Sequence, residues 1–353
     1  MRPIYYLAGL VPVAVVLDAL GALPAAVFAV SAIAVIPGAA LMGEATDQLA
    51  ERSGPGVAGL LNVTFGNAPE LIIALFALAD GLQEVVKASL VGSVIGNALL
   101  VLGASLLAGG WRRRQTYNRA AARALSGVLL IGTLGLLVPS LVRLAQGHAL
   151  PRVGAGRGSF GPAVEAVSLA VSAVLILIYA RGLVSSLHSH GRQADPAEPL
   201  RWSARRATLV LAASALLVAV ASDTLVASVE HTSREIGLSE FFIGAIVVAI
   251  AGNAAEHYVA VLAAVRNKLD LTVSIAVGSA AQVGLLLAPV IALLSLLIGP
   301  GEMPLVFNAY ELAGLIAAAL LAAAATYDGS SSARRGAGLL ATYLLIAVAF
   351  ALA

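Results

Sequence analysis

Two glutamates inside long apolar segments place the strongest constraint on how this chain can fold. Glu70 closes the sequence Gly-Asn-Ala-Pro-Glu at 66–70, and Glu256 closes Gly-Asn-Ala-Ala-Glu at 252–256. A carboxylate in the interior of a bilayer costs about 2.5–3.5 kcal/mol on the insertion scale, so the pair costs about twice that. A chain that carries this cost twice is expected to use the carboxylates, and the default hypothesis is an ion or proton path.

The composition indicates that these segments lie in a membrane. Of the 353 residues, 60% are hydrophobic and 11% are charged, whereas about a quarter of the residues in a soluble domain are charged. The chain is therefore predicted to be a multi-pass membrane protein surrounded by the lipid bilayer. The net charge of +2 gives no indication of nucleic-acid binding, and the absence of cysteine excludes disulfides and thiolate metal sites.

Apolar runs of about 20 residues mark the expected spanning helices. The sequence predicts an all-α integral membrane protein with eleven transmembrane helices, at 4–20, 22–43, 57–79, 83–108, 120–145, 161–187, 205–231, 239–264, 269–298, 305–326 and 334–352. The first run is interpreted as a spanning helix and not as a signal peptide, because further apolar segments follow it.

The basic residues predict the orientation of the chain. They concentrate in the loops after the fourth, sixth, eighth and tenth segments, and the positive-inside rule makes that side cytoplasmic. Arg2 falls on the same side, so the N-terminus is predicted to be cytoplasmic. Loops rich in alanine and arginine favour a prokaryotic cell (inner) membrane.

The chain matches itself when it is shifted by 186 positions. Without a gap, this shift aligns Glu44 with Glu230, Gly66 with Gly252, Asn67 with Asn253, Glu70 with Glu256, Gly92 with Gly278 and Ser93 with Ser279. A register held over 50 residues is hard to produce by chance and indicates an internal repeat.

The repeat predicts an organisation of the whole chain in four parts. These are an extra N-terminal helix (1–21), a first repeat (22–190), a cytosolic linker (191–204) and a second repeat (205–353). Each repeat has five predicted helices, and because five is odd the second repeat enters the membrane from the opposite side. Transporters built from two such inverted five-helix repeats hold their substrate near the midplane, between the repeats.

The first motif contains two residues that disturb a helix. Pro69 has no N–H and clashes with the preceding turn, and Gly66 loosens the same turn. The helix is therefore predicted to break at this point and to free backbone carbonyls. Gly252, which occupies the position of Gly66 in the second copy, marks a corresponding predicted break.

The two motifs and the helices that follow them offer oxygen ligands. Asn67 and Glu70 are three positions apart and share a helix face, as their equivalents in the second copy do. Carboxylate, amide and carbonyl oxygens suit Ca²⁺, although Na⁺ or Mn²⁺ could also use them. The candidate metal-binding residues are Asn67, Glu70, Ser93, Asn97, Asn253, Glu256, Ser279 and Gln282.

The paired carboxylates also suggest proton exchange. If Glu70 and Glu256 converge on one ion, departure of the ion leaves two negative charges that repel each other at low dielectric. Proton uptake relieves this repulsion. A single site that binds either a divalent cation or protons can act as an exchanger.

These residues resemble the calcium/proton exchanger branch of the calcium/cation antiporter superfamily. The resemblance rests on both motif copies and covers about 37–107 and 222–289. It implies ten core helices plus one, a midplane Ca²⁺ site without any cofactor, and proton-driven export of cytosolic Ca²⁺. It also implies that Glu70 and Glu256 are the ion-binding and proton-accepting pair. The acidic residues implied to line the cytosolic approach are Glu44, Asp47 and Glu230.

Several alternatives stay open at this level. His257 is either a proton relay or gate, or a structural histidine, and the asparagines and serines are either ligands or packing residues. The same site would also serve Na⁺/H⁺, K⁺/H⁺ or Mn²⁺/H⁺ antiport. An intramembrane metalloenzyme is disfavoured because no His-Glu-x-x-His sequence is present. A channel would gain little from paired midplane carboxylates, so a transporter and not an enzyme is expected. The oligomeric state is left open.

Overall fold

The computed structural model describes residues 3–53, 55–111, 114–154, 160–189 and 202–353. Within these ranges the secondary structure is helical, apart from an isolated bridge between Thr116 and Ser330. Arg2 and residues 191–201 of the predicted linker lie outside the described residues.

Nine helices of the described chain are long and apolar enough to cross a membrane, and a bent pair at 60–79 would make ten. The chain is therefore a multi-pass helical membrane protein. The segment predicted as the first span forms a shorter apolar helix, Tyr5–Ala19. The structure thus supports nine or ten of the eleven predicted spans.

The helices follow one another with short connections. A 3₁₀ turn, Pro3–Gly9, comes first, and π-helical turns lie at Gly96–Val101, Ile243–Val248 and Val283–Leu287. The α-helices are α1 (Leu10–Ala19), α2 (Pro24–Ala50), α3 (Pro55–Gly66), α4 (Ala68–Ala79), α5 (Gln83–Ile95), α6 (Leu102–Gly110), α7 (Arg119–Ala145), α8 (Pro162–Ser189), α9 (Ala204–Ala227), α10 (Val229–Ile236), α11 (Glu240–Phe242), α12 (Ala249–Val265), α13 (Leu269–Gln282), α14 (Ala288–Leu294), α15 (Ala309–Thr326) and α16 (Ala333–Ala351).

Polar side chains set several of the helix starts. The Asn118 carboxamide oxygen accepts hydrogen bonds from the first backbone N–H groups of α7, and the Ser203 hydroxyl does the same for α9. Asn308 and Glu311 form a reciprocal capping box at the start of α15. Such caps satisfy N–H groups that have no partner within the helix.

The chain forms two compact units. The first comprises Met1–Phe76, Leu177–Ile236 and Ala251–Ala255, and the second comprises Ala77–Ile176, Gly237–Ile250 and Glu256–Ala353. Each unit therefore draws on both of the predicted repeats.

The first unit is organised by the antiparallel packing of α2 and α9. The Trp202 N–H, just before α9, donates to the Gln48 side chain near the end of α2. At the opposite end, the Ala25 N–H at the start of α2 donates to the Glu235 carboxylate, which follows α9. Gly38 permits the close approach in between, since a Cβ there would lie 2.7 Å from a methyl group of Val218.

In the second unit, the loops that precede α5, follow α7 and precede α15 meet at one end. The Gln83 side chain donates to the Gly301 carbonyl (2.8 Å), and the Gly154 N–H donates to the Glu84 carboxylate (2.6 Å).

The loops that precede α7 and α13 meet in the same way at another end of the unit. The Gln115 side chain donates to the Ala264 carbonyl (3.0 Å), and the Asn118 N–H donates to the Asp270 carboxylate (2.7 Å). The loops of this unit therefore lie alternately at its two ends, in the order that the predicted spans require.

A buried non-helical segment precedes α15, and we call residues 303–308 the strap. The sequence predicts a span from 305, but the helix begins only at Ala309. All six strap residues are buried. Three of their N–H groups donate to serine hydroxyls, pairing Met303 with Ser295, Leu305 with Ser168 and Phe307 with Ser140. The predicted boundary is wrong because these hydroxyls stabilise a backbone that leaves the helix, as buried non-helical segments of membrane proteins require.

The 186-residue shift seen in the sequence also relates the ends of several elements. The related positions are the ends of α2 and α10 (Ala50, Ile236), the ends of α4 and α12 (Ala79, Val265), the starts of α5 and α13 (Gln83, Leu269), and the π turns Gly96–Val101 and Val283–Leu287. The sequence repeat thus has a counterpart in local structure.

Candidate functional site

The first motif copy lies at a bend between two helices. α3 ends at Gly66, α4 begins at Ala68, and the helix directions differ by 47°. Glu70 occupies the first turn of α4 and is only 8% exposed. Pro69 cannot donate within the first turn, so this position suits it. The partial positive charge at the start of α4 stabilises the buried carboxylate.

The second copy lies inside a continuous helix, and the predicted break at Gly252 is therefore wrong. α12 runs from Ala249 to Val265 without interruption. The second copy has Ala255 where the first has Pro69, so every backbone N–H of this turn is available to the helix. The irregularity of this span is instead the π turn Ile243–Val248.

Within the first unit, Glu70 packs against Gly252. A Cβ at Gly252 would lie 3.2 Å from the Cγ of Glu70 and 3.5 Å from the Cδ1 of Ile73. At the equivalent Gly66 a Cβ would have no neighbour within 4 Å. Gly252 therefore permits close contact with the glutamate stem, whereas Gly66 meets no such demand. Asn253, the next residue, is 1% exposed.

Within the second unit, Glu256 is held by a serine. The Ser279 hydroxyl on α13 donates a hydrogen bond of 2.6 Å to the Glu256 Oε2. A hydroxyl-to-carboxylate bond this short is typical of a charge-assisted interaction. Gln282, the last residue of α13, is half-buried, and the π turn Val283–Leu287 follows it directly.

The remaining polar candidates, Ser93 and Asn97, belong to the span formed by α5 and its continuation. They are 4% and 0% exposed, and Asn97 lies in the π turn Gly96–Val101. Such turns often occur at functional sites in helices. Gly92 has a packing role, because a Cβ there would lie 1.9 Å from the Ala245 carbonyl oxygen. Its equivalent, Gly278, has ordinary space around it.

The three predicted vestibule residues are not brought together. Glu44, near the end of α2, accepts a hydrogen bond from the Tyr5 hydroxyl, and Asp47 is exposed nearby. Glu230 lies beyond the end of α9, where Arg234 pairs with it. Because α2 and α9 are antiparallel, Glu44 and Glu230 lie at opposite ends of the pair. The prediction that these residues line one approach is therefore wrong, because the antiparallel packing of α2 and α9 places Glu230 at the end opposite to Glu44.

His257 is half-buried, and its Nε2 has no hydrogen-bond partner in the described part of the chain. The structure gives it no contact that defines a gate, so that role stays a prediction. Within the described ranges, no three His, Cys, Asp or Glu side chains are grouped so that they could hold a metal.

Two buried charged residues were given no functional role by the sequence. Lys87 on α5 is 9% exposed and Glu311 on α15 is 2% exposed. Each lies in a predicted apolar span, and a charged residue in such a span is the sequence feature that could have identified it. Neither belongs to the repeated motif.

Sequence comparison shows which family and which known proteins this chain is similar to. The profile of the family described as sodium/calcium exchanger protein matches residues 23–188 and 206–352. The chain is 40% identical over 364 residues to a Bacillus subtilis protein named Ca(2+)/H(+) antiporter ChaA, covering 99% of each chain. It is 38% identical over 346 residues to a Synechocystis protein named Ca(2+)/H(+) antiporter, covering 92% of this chain and 90% of the other.

Solved structures agree with these relatives. The structure of native YfkE superposes with a TM-score of 0.83 at 38% identity, covering 99% of this chain and all of the other. The H+/Ca2+ exchanger CAX superposes with a TM-score of 0.74 at 15% identity, covering 99% of this chain and 91% of the other, and that likeness concerns the fold.

Proposed function

Because the chain belongs to the sodium/calcium exchanger protein family, we propose that it is a secondary antiporter that exchanges cytosolic Ca²⁺ for H⁺. The resemblance to calcium/proton exchangers drawn from the motifs is confirmed by the relatives, whose names describe Ca²⁺/H⁺ antiporters. Those relatives are transporters, so the metalloenzyme alternative has no support among them. Ca²⁺ is then the transported substrate, and no cofactor takes part.

The observation that carries this proposal is the contact between Glu70 and Gly252. It brings the carboxylate of the first motif against the glycine of the second within one unit. Glu256 follows Gly252 by four positions on α12 and so lies on the same face of that helix. The proposed ion-binding set is Asn67, Glu70, Ser93, Asn97, Asn253, Glu256, Ser279 and Gln282.

The proposed mechanism is alternating access at this set of oxygens. Deprotonated Glu70 and Glu256 bind Ca²⁺ from the cytosol, and protons arriving from the other side displace it. Protonation removes the repulsion between the emptied carboxylates, so the ion-free protein can return. Family membership, the buried carboxylate of Glu70 and the hydrogen bond from Ser279 to Glu256 support this scheme.

The proposed architecture is two inverted five-helix repeats, 22–190 and 205–353, joined by the linker 191–204 and preceded by an extra helix at 1–21. The matching element ends and π turns support the repeat, and an odd number of helices in each repeat supports the inversion. The N-terminus is proposed to be cytoplasmic, in a prokaryotic cell membrane, because the arginine-rich loops fall on that side.

Transport by purified protein in lipid vesicles tests the function. We expect an imposed pH gradient to drive Ca²⁺ flux, and we expect Glu70→Gln and Glu256→Gln each to abolish it. Glu302→Gln, which makes the same change at an exposed position, is the matched control. Flux that persists in both motif variants would overturn the site.

A panel of cations in the same assay tests the selectivity. A flux that requires Na⁺ and ignores the pH gradient, or one that carries K⁺ or Mn²⁺ in place of Ca²⁺, would overturn the Ca²⁺/H⁺ assignment. Either result would leave the role of the two glutamates to be judged separately, from the Gln variants.

A further inference from the structure

Lys87 and Glu311 are buried charges of opposite sign in the second unit, outside the repeated motif. They are 9% and 2% exposed and lie in helices α5 and α15. An ionisable residue within a membrane span is costly and usually serves ion or proton movement. The contacts of the two residues indicate which role in ion or proton movement they can have.

Lys87 is held in place by contacts other than a direct ion pair. Its Nζ donates to the Val306 carbonyl of the strap (3.1 Å) and lies 5.6 Å from the ring centroid of Phe160. Among the described residues, Lys87 and Glu311 form no ion pair with each other, unlike Arg234 with Glu230 and Arg335 with Asp328. The ammonium of Lys87 therefore acts on Glu311 through space and not by contact.

Glu311 has one structural task, which a neutral side chain can also perform. Its Oε2 accepts a hydrogen bond of 2.7 Å from the Asn308 N–H, and the Asn308 side chain accepts one of 2.9 Å from the Glu311 N–H. Glutamine serves in the same capping box as well as glutamate does. The negative charge of Glu311 is thus not required by the local fold.

Both charged residues line one small cavity. Its volume is about 10 Å³, close to the smallest space that holds one water molecule. It is lined by Glu84, Lys87, Pro151, Arg152, Asn308 and Glu311. Glu84 and Arg152 also lie at the end of the unit where the loops next to α5, α7 and α15 meet, which we call the loop end. There the Glu84 carboxylate accepts a hydrogen bond from the Gly154 N–H.

We propose that Glu311 is a second proton-binding carboxylate of this antiporter, reached by water through this cavity from the loop end of the second unit. In the lining of the cavity, Lys87 and Arg152 carry positive charge and Glu84 carries negative charge, and Arg143 lies over the ring of Phe160, 4.8 Å from its centroid. A directly contacting ion pair would lock both charges, whereas a water-sized gap lets Glu311 exchange a proton with solvent.

This inference rests on the proposed Ca²⁺/H⁺ exchange, and an infrared measurement tests it without transport. Protonated carboxyl groups give a carbonyl band distinct from that of carboxylates. We expect a carboxyl band of the wild-type protein to titrate with pH and to be missing in Glu311→Gln. In Glu302→Gln the band should stay. If Glu311→Gln keeps every titrating carboxyl band of the wild type, the inference is overturned.

Substitution of the lysine provides a second measurement. Lys87→Met retains the apolar stem but removes the charge that opposes protonation of Glu311. The Glu311 band should then persist to more alkaline pH than in the wild type. An unchanged titration of the band would show that Lys87 serves only to anchor the strap and would overturn the pairing.

Transport separates this inference from the proposed function. The Ca²⁺ flux of Glu311→Gln should remain but lose one step of its pH dependence. If the wild-type protein shows no flux driven by the pH gradient, the proposed function fails. If wild-type flux is present and Glu311→Gln has the wild-type pH profile, only the second proton site fails.

Discussion

Replacement of Gly252 by alanine should weaken Ca²⁺ binding without unfolding the protein. The added methyl group would lie 3.2 Å from the Cγ of Glu70 and 3.5 Å from the Cδ1 of Ile73. A spacing of 3.2 Å is tighter than nine in ten real contacts of a Cβ, so Glu70 must move by a few tenths of an ångström. The methyl group itself suits the interior of α12, because alanine favours a helix over glycine.

The size of the effect follows from the geometry of the ligands. Ca²⁺–oxygen distances span only about 2.3–2.6 Å, so the expected displacement of Glu70 is as large as the whole permitted range. Overpacking of a filled site costs about 1–3 kcal/mol. If the cost appears in binding, the Ca²⁺ concentration for half-maximal flux should rise by about 5- to 150-fold.

The assay is Ca²⁺ flux into vesicles over a range of Ca²⁺ concentrations at a fixed pH gradient. Gly66→Ala is the matched control, because it makes the same change at the equivalent motif position, where a Cβ meets no atom within 4 Å. We expect Gly66→Ala to keep the wild-type affinity. Thermal unfolding in detergent should show that both variants are folded.

Wild-type Ca²⁺ affinity in a folded Gly252→Ala variant would refute the role of this contact in positioning Glu70. An equal loss of affinity in Gly252→Ala and Gly66→Ala would refute it as well. Equal losses would mean that glycine matters for the helix and not for the contact with Glu70.

Three further predictions concern the second unit, two within its helices and one in the loop between α15 and α16. Ser279→Ala should cost about 1.5–3 kcal/mol of Ca²⁺ binding, because Glu256 loses its hydroxyl donor, whereas Ser279→Thr should restore much of the affinity. Gly92→Ala should lower the unfolding temperature clearly, whereas Gly278→Ala should leave it near the wild-type value, because only the first meets a backbone carbonyl. Hydrogen bonds from a neighbouring arginine hold the pKa of Asp328 well below its ordinary value, so Asp328→Asn should lower the unfolding temperature at neutral pH.

The contribution of Asp328 to folding stability depends on pH in a definite direction. A carboxyl group with a depressed pKa in the folded state adds stability above its unfolded pKa of about 3.9, and that stability is lost as the pH falls through the folded value. The difference between Asp328→Asn and wild type should therefore be constant near neutrality and shrink below about pH 4. A difference that grows in acid would contradict the explanation. Equal Ca²⁺ affinities of Ser279→Ala and Ser279→Thr would contradict the role of the hydroxyl donor. Equal unfolding temperatures of Gly92→Ala and Gly278→Ala would contradict the explanation for the glycines.

The sequence predicted the parts of the site that depend on local chemistry. Pro69 removes a backbone donor whatever the surroundings, and a bend is found beside it. Asn67 itself lies in the break between α3 and α4, so its predicted sharing of a helix face with Glu70 stays a prediction. Gly252 was misjudged, because the same residue type loosens a helix in one setting and permits close contact in another. Only the neighbouring atoms distinguish the two cases.

The positions of charged groups show the same division. Glu44 and Glu230 were recognised as equivalent from the sequence, but their placement at opposite ends follows from the antiparallel packing of α2 and α9. The strap could not be foreseen, because an apolar run reads as a helix until serines from three other segments offer hydroxyls to its backbone.

The sequence by itself determined that this chain lies in a membrane, that it contains a repeated motif, and that carboxylates stand within apolar helices. These properties follow from composition, period and the cost of burying charge, which do not depend on neighbours. The tertiary structure decided which glycine meets Glu70, which hydroxyl holds Glu256 and that Lys87 and Glu311 line the same small cavity. Such contacts join residues far apart in the chain, and a linear pattern carries no information about the distance between them.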